Sequence, residues 1–170
     1  MSEQPDGFDE VDRIVAAWRR ERPDLDVAPL EVLSRVTRLA RHLDRARGAA
    51  FAAHGLEGWE FDVLAALRRA GEPYELSPGQ LTAETLVTSG TMTNRIDRLE
   101  QRALVRRRPD PDDGRGVLVR LQDAGRELVD TALADLLERE RTILASLDPA
   151  DAATLAAALR RLVAPFDSPS

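Results

Sequence analysis

The chain has 170 residues, 43 % of them hydrophobic, with a net charge of −6 and no cysteine. The missing thiol excludes disulfides, thiolate catalysis and cysteine-based zinc sites, while four Phe, two Trp and one Tyr predict one mostly aliphatic core and a single domain over 1–170. No run approaches the ~18 apolar residues of a membrane span, and the acidic start lacks an apolar leader-like stretch, so a cytoplasmic protein without membrane association is expected.

In chain order, the first expected element is a helix from Asp9 to about Glu21, an extra N-terminal helix within 9–22. Val11, Ile14, Val15 and Trp18 recur there at i, i+3, i+4 and i+7 as a narrow apolar stripe. So short a helix does not stay folded alone and needs a surface to dock on. A longer helix follows over 29–53, with Leu30, Leu33, Leu39, Leu43 and Phe51 among its apolar positions. Trp59 to Arg69 makes a third, closed by Gly71 and Pro73. Ser77-Pro78 places a capping hydroxyl before a proline at the first helical position and starts a short helix to about Leu86. Val87-Thr88-Ser89-Gly90 supplies a turn, and Thr88 or Ser89 caps the next helix, which runs to about Arg102 and carries the apolar stripe Met92, Ile96, Leu99. Leu104-Val105 and Val117-Leu118-Val119 read as strands joined by the tip Asp-Pro-Asp-Asp-Gly-Arg-Gly over 110–116. Asp123 to about Ser146 is long and amphipathic, and Asp148-Pro149 opens a last helix ending near Val163.

Helix, turn, helix and hairpin in succession define a winged helix-turn-helix. The expected fold is mainly α with a small β-hairpin wing: a DNA-binding lobe over 57–121, and helices over 29–53 and 123–165 forming a homodimer across a two-fold axis. The open face of the second helix carries Ser89, Thr91, Thr93, Asn94 and Arg98, side chains suited to base edges in the major groove. Arg115 at the wing tip suits the minor groove, and Arg106 and Arg108 suit phosphates. The acidic total does not oppose this reading, because eight arginines face five acids between Arg95 and Arg120, and phosphate contacts depend on the local patch. The expected partner is a double-stranded, pseudo-palindromic operator. A plainer alternative makes Arg98 and Arg102 a solvated face paired with Asp97 and Glu100.

Arg95 lies three residues from Met92 and four from Leu99, on the inward side of its helix, where a half-buried guanidinium needs an anion. Asp62 is the expected partner, since its helical neighbours Gly58, Trp59, Ala65 and Ala66 form an apolar setting for a carboxylate, and Arg107 is a second cation for the same place.

The order of elements from Pro29 to Val163 resembles the MarR family of bacterial regulators, most specifically in the run from Thr91 to Glu100 and in Leu104-Val105-Arg106-Arg107-Arg108-Pro109-Asp110 with the wing. Two departures stand out: Asn94 occupies a place where the family often has an arginine, and Gly114-Arg115 one where it often has two. Trp18, Asp62, Arg95 and Arg107 are similar in order and spacing to the urate-responsive branch of the family, which includes the hypothetical uricase regulators and the PecS-type regulators and also carries an extra N-terminal helix. The resemblance implies a repressor released from its operator by a small anionic effector, urate or a related purine anion, held at those four residues. Such a ligand stacks on an indole, accepts from an arginine and disturbs a carboxylate–arginine pair that includes a residue of the recognition helix.

Each residue also has a structural reading: Trp18 as an apolar anchor, Asp62 in a structural ion pair, Arg107 as a phosphate contact. At the level of function, the alternatives are a different phenolic or lipophilic effector, or a winged-helix protein-interaction scaffold. His42 and His54 lack ligand-like spacing, phosphate-binding glycine loops are absent and no Ser/His/Asp order is present, so neither a metal, a cofactor nor an enzyme is expected.

Overall fold

The computed structural model describes residues 7–111, 113 and 116–167. It divides into two compact units, Met1–Ala46 and Arg47–Ser170, with the boundary inside α2.

The first unit holds α1 (Glu10–Glu21) and the start of α2 (Ala28–Ala53). Asp9, placed inside the helix by its sequence, caps α1 instead: its side chain accepts from the N–H groups of Val11 and Asp12, and Asp12 accepts from the Asp9 N–H in return. Val11 and Val15 are buried with Val27, and Leu30 packs on them. Arg35 of α2 donates to both carboxylates of that cap, Asp9 at 2.8 Å and Asp12 at 2.7 Å. The Arg35 guanidinium holds the Asp9 carboxyl down at about 2. The other half of the apolar stripe stays open, with Ile14 and Trp18 exposed.

The second unit adds α3 (Gly58–Arg69), β1 (Glu75–Leu76), α4 (Pro78–Thr85), α5 (Ser89–Gln101), β2 (Val105–Pro109), β3 (Val117–Leu121), α6 (Asp123–Leu144) and α7 (Pro149–Asp167). The hairpin expected from sequence gains a third strand, and the sheet runs β1-β3-β2, antiparallel throughout. Two residues are too few to show a period, which is why β1 escapes sequence reading. Arg107 faces Val119 and Arg106 faces Arg120 across β2 and β3. Val105, Val119 and Leu121 are buried, whereas Arg106 and Arg120 are exposed, so one face of the sheet meets the core and the other meets solvent.

The core joins Phe51 of α2, Phe61, Val63, Leu64 and Leu67 of α3, Leu81 of α4, the α5 stripe Met92, Ile96 and Leu99, and Val129, Ala132 and Leu136 of α6. Phe51 and Phe61 stack with ring centroids 4.1 Å apart. Gly125 is where α6 meets the chain entering β2: a Cβ there would lie 2.3 Å from the Leu104 carbonyl oxygen, which only glycine avoids. Ser77 caps α4 as the sequence predicts, and Leu86 closes it in the left-handed region at φ 53°. No described helix is long and apolar enough to cross a membrane.

Candidate nucleic-acid interface and effector pocket

The second helix of the motif, α5, is held by its cap and its stripe. The Thr88 hydroxyl accepts from the Thr91 N–H, and Met92, Ile96 and Leu99 are fully buried. With one face anchored, Ser89, Thr91, Thr93 and Asn94 stand exposed on the other. The Thr93 hydroxyl donates to the Ser89 carbonyl, and the Thr91 hydroxyl bonds to that of Thr88, so each is oriented while still open to solvent. Ser89 is the first helical residue rather than the cap.

The arginines around α5 are largely paired, and their partners differ from the expected ones. Arg98 donates to Glu57 at 2.5 Å and lies over the Trp59 ring at 4.7 Å; Arg102 donates to Glu60 at 2.7 Å. Asp97 and Glu100 therefore do not serve Arg98 and Arg102. They hold Arg107, at 2.6 Å and 2.8 Å, and Glu100 also accepts from the Arg107 backbone N–H. These bonds keep the Glu100 carboxyl below its ordinary range. Arg108 makes a two-pronged contact with Glu75, a carboxylate only 6 % exposed, and Arg120 approaches the same group at 3.7 Å. The Arg108 guanidinium beside Glu75 lowers that carboxyl also. Arg106 is exposed and has no acidic partner among the described residues. Arg115, assigned to the minor groove by its sequence position, lies outside the described residues.

Three acids escaped sequence reading: Glu57, Glu60 and Glu75. Glu57 and Glu60 sit three apart at the start of α3 and cap it reciprocally, a spacing visible in the sequence. Glu60 is buried, its one oxygen accepting from the Glu57 N–H and the other from Arg102. Glu57 accepts from the Trp59 indole N–H and from Arg98, and the indole is the larger influence keeping its carboxyl low.

The expected pairing of Asp62 with Arg95 or Arg107 is not formed. Asp62 is half-exposed and lies 3.8 Å from Arg47, a residue of α2 that sequence reading did not single out. Arg95 is half-buried over the Trp59 ring at 5.4 Å, and Arg107 is taken by Asp97 and Glu100. Arg95 rests on Trp59 near the N-terminal end of α3, while Asp62, three residues further along that helix, is nearest the α2 residue Arg47. Trp18 belongs to the first unit and is 48 % exposed.

Asp62 lines a hollow of about 470 Å³ with Arg47, Phe61, Arg69, Leu133 and Leu137 among its walls. The two guanidinium groups, the ring and the aliphatic side chains share this cavity with the carboxylates of Asp62, Glu84 and Glu140, so a flat anion binds there only by displacing an acid from an arginine. Arg69 donates to Glu84 at 3.2 Å, whereas Arg47 reaches Asp62 and Glu140 only at 3.8 Å and 3.9 Å and is the loosely held one.

A helix-turn-helix with a three-stranded wing, an anchored second helix and an open polar face is the architecture of a DNA-binding regulator. The chain belongs to the MarR family of transcriptional regulators: the family model matches residues 54–116. It is 40 % identical over 153 residues to the transcriptional regulator PecS of Dickeya dadantii, covering 90 % of this chain and 92 % of that protein. It is 29 % identical over 143 residues to the repressor NicR of Pseudomonas putida, covering 82 % and 89 %. Among solved structures, MarR of E. coli in complex with operator DNA superposes with a TM-score of 0.67 at 25 % identity, over 82 % of this chain and 99 % of that one. The Bordetella bronchiseptica regulator BpsR, whose DNA binding is regulated by 6-hydroxynicotinic acid, superposes at 0.61 with 28 % identity, over 79 % and 94 %.

Proposed function

We propose that this protein represses transcription by binding a pseudo-palindromic DNA operator as a homodimer, and that a small, flat organic anion such as urate releases it. The observation that carries the reading is α5, with Met92, Ile96 and Leu99 buried beneath an exposed face of Ser89, Thr91, Thr93 and Asn94. Those four side chains read base edges, and Arg106 and Arg115 supply the phosphate and minor-groove contacts. Arg98 and Arg108 reach DNA only by exchanging the carboxylates of Glu57 and Glu75 for phosphates.

Dimer formation is supported within each unit by apolar residues left open: Val32, Leu33, Val36 and Leu39 on α2 in the first, and Leu155, Leu162, Val163 and Phe166 on α7 in the second. The effector enters beside Asp62, where Arg47 is its nearest charge partner, and Arg95 and Arg107 act from α5 and β2; within the first unit, Trp18 carries an exposed indole able to stack on a flat ligand. A ligand anion that takes Arg47 from Asp62 shifts α3, on whose Trp59 the α5 residues Arg95 and Arg98 rest. An effector of this kind has a parallel in 6-hydroxynicotinic acid, a ring acid that regulates DNA binding by BpsR.

The test is operator affinity measured with and without urate, in the wild type and in Asp62→Asn. The expected result is a 5- to 150-fold weakening by urate, the range of about 1–3 kcal/mol typical of coupled sites, reduced in the variant. Unchanged affinity at millimolar urate overturns the effector assignment and leaves the DNA-binding reading standing.

A further inference from the structure

The solvent face of the wing sheet has a charge arrangement that its own residues do not neutralise. The β2–β3 register sets Arg106 directly opposite Arg120, and β1 sets Glu75 on the far side of Arg120. Like charges directly opposite on neighbouring strands are destabilising. Glu75 is the acid this face receives from its edge strand, and its carboxylate is already gripped at both oxygens by Arg108. Arg120 reaches it at only 3.7 Å, longer than a hydrogen bond, and Arg106 has no acidic partner among the described residues.

These side chains line a hollow. Arg106, Arg107, Arg108, Pro109, Arg120 and Gln122 enclose about 290 Å³. At roughly 30 Å³ per water, the space is worth about ten waters, room for a tetrahedral oxyanion with part of its hydration. Arg107 is satisfied by Asp97 and Glu100, so the unmet donors are those of Arg106 and Arg120. Gln122 caps α6 without using its side chain, which leaves its amide able to donate into the same space.

We propose that the outer face of the wing sheet is a binding site for one phosphate-type oxyanion, clamped between the guanidinium groups of Arg106 and Arg120 with the Gln122 amide beside them. Guanidinium forks match the oxygen spacing of phosphate and form charge-assisted hydrogen bonds with it. The oxyanion relieves the repulsion across the β2–β3 pair and leaves the Glu75–Arg108 contact in place. DNA backbone phosphate and a free phosphate anion such as pyrophosphate present the same group. The first source rests on the operator-binding reading of the preceding section, and the second does not.

The experiment has two arms, both on the full chain. One titrates pyrophosphate into protein without DNA at constant ionic strength and follows binding by calorimetry. The other measures the dependence of DNA affinity on salt. Arg106→Gln is the informative variant because it breaks no ion pair of the fold; Arg120→Gln is the second, and Arg160→Gln on α7 controls for the loss of one positive charge. A free-anion site predicts that pyrophosphate binds the wild type and binds Arg106→Gln and Arg120→Gln about tenfold or more weakly, as loss of a charge-assisted hydrogen bond implies. A DNA-phosphate site predicts that the slope of log affinity against log salt falls by about 1 in those variants and that DNA binding weakens equally for all sequences. Either pattern, absent from Arg160→Gln, supports the proposal and identifies the source. It is overturned if both variants match the wild type in both arms, or if Arg160→Gln has the same effect. Failure of the wild type to bind an operator refutes the DNA-binding reading instead, and the pyrophosphate arm still decides the site.

Discussion

The open face of α5 and the flank behind it are both polar and do opposite things. On the open face, Thr91, Thr93 and Asn94 stand in solvent with only local hydroxyl bonds. On the flank, the arginines of α5 and its margins are met by a carboxylate or a ring: Arg98 by Glu57 and Trp59, Arg102 by Glu60, Arg107 by Asp97 and Glu100, Arg95 by Trp59. Arginine density therefore overstates the charge available to a phosphate backbone. The paired arginines fix the angle of α5 against α3 and β2, and the unpaired polar face is what that angle presents.

The largest effect removes the anchor shared by both regions. Leu99→Ala deletes a side chain with no exposed surface and leaves a cavity, so stability falls by about 3 kcal/mol. Urea unfolding measures the loss, and a change below about 1 kcal/mol contradicts the placement of Leu99 in the core. On the open face, Asn94→Ala is expected to weaken operator binding by about 1–3 kcal/mol, roughly 5- to 150-fold, while binding to random DNA and the unfolding midpoint stay put. Equal losses on both DNAs would make Asn94 a contact without sequence information.

On the flank, Glu75→Gln removes the buried carboxylate that holds Arg108, and stability at neutral pH drops by about 1–2 kcal/mol. The native Glu75 carboxyl titrates below its unfolded value, so its contribution is present above about pH 4.3 and is lost as the pH falls through the lowered native value. The gap between wild type and variant should close over that acid window; a gap that persists below it contradicts the ion-pair account. The smallest expected effect is that of Glu57→Gln. Both partners of the Glu57–Arg98 pair are 56 % exposed, so the unfolding midpoint stays close to that of the wild type. Freed from its acid, Arg98 becomes available to phosphate, and salt titration of DNA binding should steepen.

Periodic elements were legible in the sequence because period and caps are local. The α5 stripe, the Ser77-Pro78 start and the exposed Thr91, Thr93, Asn94 face follow from spacing alone. Ion-pair partners were not legible, since they depend on which helices abut. Asp97 is next to Arg98 in sequence and Glu100 is two residues from both Arg98 and Arg102, yet the two acids serve a strand that returns past α5, and Asp62 finds Arg47 rather than Arg95. The strand Glu75–Leu76 was missed for its length, and with it the buried acid that organises the outer face of the wing.

The central claim is that the open face of α5 reads DNA sequence. Its most direct test is the affinity of the wild-type protein for a palindromic operator selected from genomic fragments, compared with random duplex of equal length at physiological salt. The account predicts a preference of about 10³-fold or more, lost in Thr91→Ala/Asn94→Ala. Equal affinity for the two duplexes would contradict it.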